Sequence, residues 1–170
     1  MTEPRSERAA EVLAVLARRG QTLATAESLT GGLIGALLTA VPGASASYLG
    51  GVISYATRLK ATLAGVDPAT LGAYGPVAEL TAGQMAAGVA KRCGADWGLA
   101  VTGVAGLTEQ DGHPVGQVFV GVARAGGDAW AEELWAEELR LAGDRDQIRR
   151  QSAERALTRL AAVLAVTAGE

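Results

Sequence analysis

Cysteine and histidine are almost absent from this chain, which has one residue of each type among 170. Cys93 cannot form an internal disulfide, and His113 is the single imidazole, so no cluster of His and Cys can hold a transition metal. Oxygen ligands could still hold Mg²⁺, but no pair of carboxylates has a spacing that suggests such a site. We therefore expect neither a disulfide framework nor a metal.

Basic surface charge and long apolar runs are also lacking. The net charge is −3 and the isoelectric point is near 5.3, so the chain has no basic footprint for nucleic acid. The longest apolar run, residues 33–41, is interrupted by Thr39 and is far too short to span a membrane, and the first five residues lack a signal-peptide core. We predict a soluble cytoplasmic protein that binds neither nucleic acid nor a membrane.

Apolar residues make up 49% of the chain and charged residues only 19%. A chain of this length can bury one substantial core, which predicts a single domain over residues 1–170, with residues 1–6 as a flexible tail.

Helical and strand patterns alternate along the sequence, which predicts an α/β fold. Helices are predicted at residues 7–19, from about residue 30, at 58–64, after Pro68, at 79–92 and from Asp144, where Gln147 completes a capping box. Strands are predicted at residues 21–24, 48–55, 97–101, 115–124 and 129–141, and residues 48–55 have the composition of a buried strand. The turn at residues 126–128 indicates a hairpin, so the sheet should be mixed.

The stretch at residues 25–32, TAESLTGG, passes from a strand into a helix through hydroxyl residues and glycines. The first N–H groups of a helix have no intrahelical partner and can hold an anion or an oxyanion. The commoner role of Ser28 or Thr30 at such a place is only to cap the helix.

Three predicted strands end in possible functional residues, namely Ser28, Tyr55 and Thr102. Ligands of α/β sheets bind beyond the carboxyl ends of strands, so these residues could form one pocket. Ser28 is a candidate nucleophile and Lys60 a candidate base, provided that burial or a neighbouring cation keeps the lysine partly neutral. The alternatives are a solvated surface lysine and a half-buried strand tyrosine whose hydroxyl contacts water.

Four blocks in order, TAESLTGG, PGASASYLGGVISYATRLKATLAGV, AVTGVAG followed by PVGQVFVGVA, and GDRDQIRRQ, resemble the CinA C-terminal-domain family. This family contains the bacterial nicotinamide mononucleotide amidases, and the resemblance extends over residues 7–164. It implies a compact three-layer α/β/α sandwich with a mixed, mostly parallel sheet, often dimeric. It also implies hydrolysis of the nucleotide's carboxamide to the acid, with release of ammonia and without a cofactor.

The resemblance also suggests roles for single residues. Ser28 and Lys60 match the serine and lysine of the family's dyad, and Tyr55 beside them is expected to relay a proton or orient Lys60. For substrate binding we expect Thr30, Gly31 and Gly32 at the helix head, Thr102 and Gly103 at the pyridine or ribose, and Arg145 or Arg149 at the phosphate. Surface ion pairs are the alternative role for both arginines.

The chain departs from the family pattern in three places. Leu29 replaces a cysteine, the segment between Tyr55 and Lys60 lacks an asparagine, and the loop at residues 105–114 has two acids where relatives have more glycine and a lysine. The loop change favours weaker phosphate binding. Two alternatives therefore remain, namely a nucleotide-binding module without turnover and an interaction protein of competence or DNA damage, which the acidic charge does not support.

Overall fold

The computed structural model describes residues 5–126, 131 and 133–167. The helices are α1 (Glu7–Arg19), α2 (Leu33–Thr39), α3 (Thr57–Thr62), α4 (Pro68–Tyr74), α5 (Glu79–Cys93) and α6 (Arg145–Val166). The strands are β1 (Leu23–Glu27), β2 (Tyr48–Ile53), β3 (Trp97–Gly103), β4 (Gln117–Arg124) and β5 (Glu133–Arg140). The elements alternate along the chain, as the sequence pattern predicts.

The strands form one five-stranded sheet in the order β2-β1-β3-β4-β5. β1 pairs in parallel with β2 and β3, whereas β4 pairs antiparallel with β3 and β5. Four of the described strands therefore run in one direction and β4 opposes them, which confirms the predicted mixed sheet. Glu27 pairs with Ile53 and with Val101, so β1, β2 and β3 end at the same edge of the sheet.

Helices cover both faces of the sheet, in the three-layer arrangement that the family resemblance implies. α1, α2 and α6 pack on one face over a core that includes Leu38, Trp97 and Leu157. α5 covers the other face, where Met85 and Ala100 belong to the core. The core residues of β1 and β3 point alternately to the two faces, as expected for central strands that are buried on both sides.

α5 packs against the backbone of the sheet at two glycines. A Cβ atom on Gly98 of β3 would lie 1.9 Å from the Ala86 carbonyl oxygen, and one on Gly121 of β4 would lie 2.3 Å from the Ala82 carbonyl oxygen. Any side chain at these two positions would push the helix away from the strands. The close approach of α5 to the sheet therefore depends on glycine.

The ends of the long helices follow local signals. Gly20 adopts a left-handed φ of 62° and ends α1, and Asp144 with Gln147 forms the predicted capping box at the start of α6. At the other end of α1, Ser6 caps the helix, is 5% exposed and donates a hydrogen bond of 2.9 Å to Glu154. The expected flexible tail therefore cannot extend to Ser6, and residues 1–4 lie outside the described part.

Three predicted boundaries need correction. The first strand begins at Leu23 and not at residue 21, and the following helix begins at Leu33 and not at Thr30, because Gly31 and Gly32 turn the chain with φ values of 58° and 102°. β2 ends at Ile53 and is an edge strand whose residues alternate between half-buried and exposed, so it is not a buried strand. Of the predicted hairpin turn, only Gly126 lies within the described residues.

Candidate active site

A cavity of about 200 Å³ opens at the edge where β1, β2 and β3 end. The loops after these strands and the start of α6 form its wall. Six of the residues singled out in the sequence contribute to this wall, namely Ser28, Tyr55, Lys60, Thr102, Gly103 and Arg145. The structure therefore brings these residues together at the edge of the sheet where the strand-end rule predicts a ligand site.

Ser28 and Lys60 are in direct contact in this cavity. The Lys60 Nζ atom lies 2.9 Å from Ser28 Oγ, and the two residues are 2% and 6% exposed. Ser28 directly follows β1, and its N–H donates to the Val101 carbonyl of β3, which extends the strand pairing to the serine. Lys60 comes from α3, whose buried side faces the serine. The structure thus places a hydroxyl and an amine within proton-transfer distance.

The surroundings of Lys60 make its ammonium group easier to deprotonate than that of a solvated lysine. Burial lowers the pKa of Lys60 from 10.5 to about 8. Besides Ser28 Oγ, the Nζ atom contacts the carbonyl oxygen of Ser54 at 2.8 Å and that of Tyr55 at 3.5 Å. A neutral amine can donate one N–H to each carbonyl and direct its lone pair at the serine hydroxyl. Among the described residues, no carboxylate lies within ion-pair distance to favour the charged form.

Tyr55 and Arg145 meet at the mouth of the cavity. The Tyr55 side chain is 63% exposed, and its hydroxyl accepts a hydrogen bond of 3.4 Å from an Arg145 guanidinium nitrogen. The carbonyl of Tyr55, and not its phenol, contacts Lys60. Arg145 is the first residue of α6 and is exposed, so its charge is available to a ligand in the cavity.

Thr102 and Gly103 form the part of the wall that belongs to β3. The Thr102 hydroxyl donates to the Pro76 carbonyl at 2.6 Å, so its hydrogen is engaged within the protein and its oxygen can only accept from a ligand. Gly103 packs closely on β4, because a Cβ atom there would lie 2.7 Å from the Gln117 carbonyl oxygen. These two residues therefore contribute to a ligand site mainly through the shape of the cavity wall, and only to a small extent through free hydrogen-bonding groups.

The sequence patterns did not predict a role for Glu27, although this residue directly precedes Ser28. Its carboxylate is 2% exposed and accepts hydrogen bonds from the N–H groups of Ile34 at 2.9 Å and Gly35 at 3.0 Å. The head of α2 is thus already occupied by a carboxylate and does not offer these amides to a ligand. The signal in the sequence is an acid at the end of an apolar strand, which needs a buried partner.

The expected binding residues after Ser28 do not line the cavity. Thr30, Gly31 and Gly32 form the turn into α2, and Thr30 is fully buried. Arg149 also lies away from the cavity. Its guanidinium donates to the carbonyls of Leu29 at 2.9 Å and Thr30 at 3.1 Å.

The polar loop at residues 105–114 borders the cavity through Ala105, Gly106 and Gln110, whereas Glu109 does not line it. His113 does not line the cavity. Its Nδ1 atom lies 2.7 Å from the side-chain oxygen of Gln117, whose amide nitrogen donates to Glu138. Since that oxygen can only accept, His113 donates from Nδ1 and acts as an anchor of the loop.

Two kinds of feature are absent from the described part of the chain. In that part, no group of three or more His, Cys, Asp or Glu side chains is arranged to hold a metal ion. No helix among the described elements combines the length and apolar character needed to cross a membrane.

Comparison with known proteins identifies the relatives of this chain. The model of the CinA C-terminal domain matches residues 5–164. A CinA-like protein of Frankia casuarinae is 47% identical over 154 residues, and one of Acidobacterium capsulatum is 45% identical over 147 residues. These matches cover 91% and 86% of this chain but only 34% of each relative, so the chain spans about a third of the length of the curated relatives it matches.

Solved structures share the fold. A competence-damaged protein (CinA) superfamily protein from Klebsiella pneumoniae has a TM-score of 0.86 and 31% identity, covering 94% of this chain and 96% of that chain. The competence/damage inducible protein CihA from Agrobacterium tumefaciens has a TM-score of 0.84 and 34% identity, covering 92% and 93%.

Proposed function

Because this chain belongs to the CinA C-terminal-domain family, we propose that it hydrolyses the carboxamide of nicotinamide mononucleotide to nicotinate mononucleotide and ammonia. The observation that carries the proposal is the buried contact of 2.9 Å between Ser28 Oγ and Lys60 Nζ. A serine becomes a useful nucleophile only with an adjacent base, and a lysine becomes a useful base when burial lowers its pKa towards neutrality. The contact between the two side chains and the pKa of Lys60, which burial lowers to about 8, support these roles.

The reaction proceeds through an acyl-enzyme. Ser28 Oγ attacks the carboxamide carbon while neutral Lys60 accepts the hydroxyl proton. The tetrahedral intermediate collapses as the Lys60 ammonium protonates the departing nitrogen, which leaves as ammonia. Lys60 then removes a proton from water, the water attacks the ester, and Ser28 regains its proton. No cofactor takes part in these steps, and the products are the pyridine carboxylate and ammonia.

The oxyanion of the intermediate needs N–H donors that are not already bonded. Since Glu27 occupies the amides of Ile34 and Gly35, the head of α2 does not fill this role. Within the described residues, the N–H of Leu29 donates to no protein group, and Leu29 lines the cavity directly after the nucleophile. We therefore assign the Leu29 amide as an oxyanion donor.

The phosphate of the substrate requires a cation at the mouth of the cavity. Arg145 fits this position, because it is exposed, lines the cavity and contacts Tyr55. A guanidinium at this place can hold a phosphate through two parallel N–H donors. Arg149 lacks this freedom, since two carbonyls engage its guanidinium.

Incubation of the purified chain with nicotinamide mononucleotide, followed by assay of ammonia and nicotinate mononucleotide, tests the proposal. We expect stoichiometric formation of both products, with no turnover by Ser28→Ala. Binding of the nucleotide without ammonia release would instead identify a binding module, an outcome that the substituted loop at residues 105–114 favours. The pyridine nucleotide is the proposed partner, together with a second copy of the chain in a homodimer, which light scattering can test.

A further inference from the structure

Two charged side chains hold the turn that carries the nucleophile, and the proposed reaction uses neither of them. We call residues 28–32, between β1 and α2, the nucleophile turn. Glu27 directly precedes this turn, and Arg149 of α6 contacts two of its carbonyls. We propose that Glu27 and Arg149 are positioning residues that keep Ser28 Oγ in reach of Lys60. This inference rests on the proposed role of Ser28 as a nucleophile.

The Glu27 side chain ties β1 to the first turn of α2. Its two oxygens each accept one backbone N–H, from Ile34 and from Gly35, which otherwise would have no partner in the helix. Hydrogen bonds to a buried carboxylate are charge-assisted, and the positive end of the helix dipole adds to them. Within the described part, no lysine or arginine pairs with this carboxylate, so the two amides are its principal partners.

The backbone of Glu27 connects both members of the dyad. Its carbonyl accepts the N–H of Ser54 at 2.8 Å, and the carbonyl of Ser54 in turn contacts Lys60 Nζ at 2.8 Å. Ser28 is the next residue in the chain. A displacement of Glu27 therefore moves the serine and the support of the lysine at once, and it changes the distance between Oγ and Nζ.

Arg149 holds the same turn through its carbonyls. Its Nε donates to the Leu29 carbonyl and one terminal nitrogen donates to the Thr30 carbonyl, so one planar group fixes two neighbouring peptide units. The guanidinium also lies against the turn, because a Cβ atom on Gly31 would be 3.5 Å from its terminal nitrogen. The Glu27 carboxylate thus binds two amides that follow Gly31 and Gly32, and the Arg149 guanidinium binds two carbonyls that precede them. Both glycines have left-handed φ values.

Glu27→Gln is the first test, because it keeps the size of the side chain. A glutamine oxygen can still accept one amide, but its NH₂ group cannot accept the other, so the turn loses one anchor. We expect the rate of covalent labelling of Ser28 by a fluorophosphonate probe, and kcat for nicotinamide mononucleotide, to fall about 10²-fold through misplacement of the nucleophile. KM should stay within about threefold, because the groups that bind substrate are unchanged. The midpoint of the acid limb of the pH profile should also stay, because burial of Lys60, and not the charge of Glu27, lowers the pKa of the lysine.

Arg149→Lys is the second test. It still tests the positioning proposal if Glu27→Gln does not fold. A lysine keeps the charge but cannot hold two carbonyls in the same fixed geometry. We expect kcat to fall equally for the mononucleotide and for the riboside, which lacks the phosphate. A rise of KM for the mononucleotide alone would make Arg149 a phosphate ligand and overturn its positioning role.

Asp96→Asn is the matched control at the opposite end of β1. Asp96 also accepts two hydrogen bonds, from the N–H of Thr22 at 2.8 Å and from its hydroxyl at 2.9 Å, but it lies far along the strand from Ser28. This variant should be less stable than the wild type. Its folded fraction should react with the probe and hydrolyse the substrate at the rates of the wild type. If folded Glu27→Gln behaves in the same way, its role is only structural and the proposal is wrong.

The labelling assay separates this inference from the proposed function. If the probe labels Ser28 of the wild type but no ammonia is released, the amidase proposal fails, and the labelling rates of the variants still decide the positioning roles. If the probe does not label Ser28 at all, there is no activated nucleophile and the positioning proposal falls as well.

Discussion

Lys60 Nζ and Ser28 Oγ lie 2.9 Å apart although the two residues are 32 positions apart in the chain. The contact forms because β1 and β2 pair in parallel, so that the loop after β1 and the helix after β2 meet at one edge of the sheet. Burial of Lys60 should affect both the proposed reaction and the stability of the fold, and both effects can be measured.

The first prediction concerns the base. Lys60 must be neutral to accept the serine proton, and its pKa is about 8, so kcat/KM should rise with pH and reach half its maximum near pH 8. Lys60→Ala and Ser28→Ala should each lower kcat at least about 10³-fold, and the double variant should be hardly worse than either, because the two residues act as a unit.

Two controls belong to this experiment. Lys91→Ala removes the other lysine, which is exposed near the end of α5, and should leave the pH profile unchanged. His113→Ala should cost little, because the imidazole anchors the loop outside the cavity. If His113→Ala were inactive and Lys60→Ala kept its activity, the imidazole of His113 would be the base.

A second prediction concerns stability. The folded protein lowers the pKa of Lys60, so between pH 8 and 10.5 the unfolded state binds more protons than the native state, and stability rises with pH in this window. Below pH 8 the full cost of burial remains, about 3 kcal/mol for a shift from 10.5 to about 8. Lys60→Met should therefore be more stable than the wild type at pH 7, with a difference that shrinks as the pH rises to 10.5.

Urea unfolding of both proteins at several pH values measures this difference. Ser28→Ala is the control, since it abolishes the nucleophile but leaves the lysine buried. A difference between wild type and Lys60→Met that does not change with pH would mean that Lys60 is already neutral, or not buried, throughout the range.

The third prediction concerns the phosphate. Arg145→Ala should raise KM for nicotinamide mononucleotide about 10-fold or more, because a charge-assisted hydrogen bond is lost, and should leave KM for the riboside nearly unchanged. Arg150→Ala is the matched control, as this exposed arginine on the same helix pairs with Asp146. Steady-state kinetics with both substrates measures the effect, and equal losses for the two would remove Arg145 from the phosphate site.

The fourth prediction concerns the packing of α5 on the sheet. Gly98→Ala should destabilise the fold by about 3 kcal/mol or more, since its Cβ would lie 1.9 Å from the Ala86 carbonyl and overpacking forces the backbone apart. Gly72→Ala in α4 has open space around the new Cβ, so it should stabilise the helix by about 0.5–1 kcal/mol. Thermal unfolding of the two variants measures both effects. A mild effect at Gly98 would mean that α5 can move away from the sheet.

Several parts of the fold could be predicted because their signals are local. The apolar face of α1 and its Gly20 end, the capping box of Asp144 and Gln147, and the apolar run of β3 are each determined by residues close in sequence. The start of α2 was placed too early, because the hydroxyls and glycines of residues 28–32 are equally compatible with a helix cap and with a turn. The glycines at left-handed φ resolve this ambiguity only in the folded chain.

The sequence by itself determined the residue types that meet at the site, since the strand-end rule and the family blocks selected Ser28, Tyr55, Lys60 and Thr102. Tertiary structure alone decided what each of them contacts. A lysine that composition would place in solvent is buried, Glu27 occupies the head of α2, and Arg149 holds carbonyls instead of facing the cavity. The physical reason is that periodicity and capping depend on neighbours in the chain, whereas burial of a charge and the partner of a backbone amide depend on groups brought from distant positions.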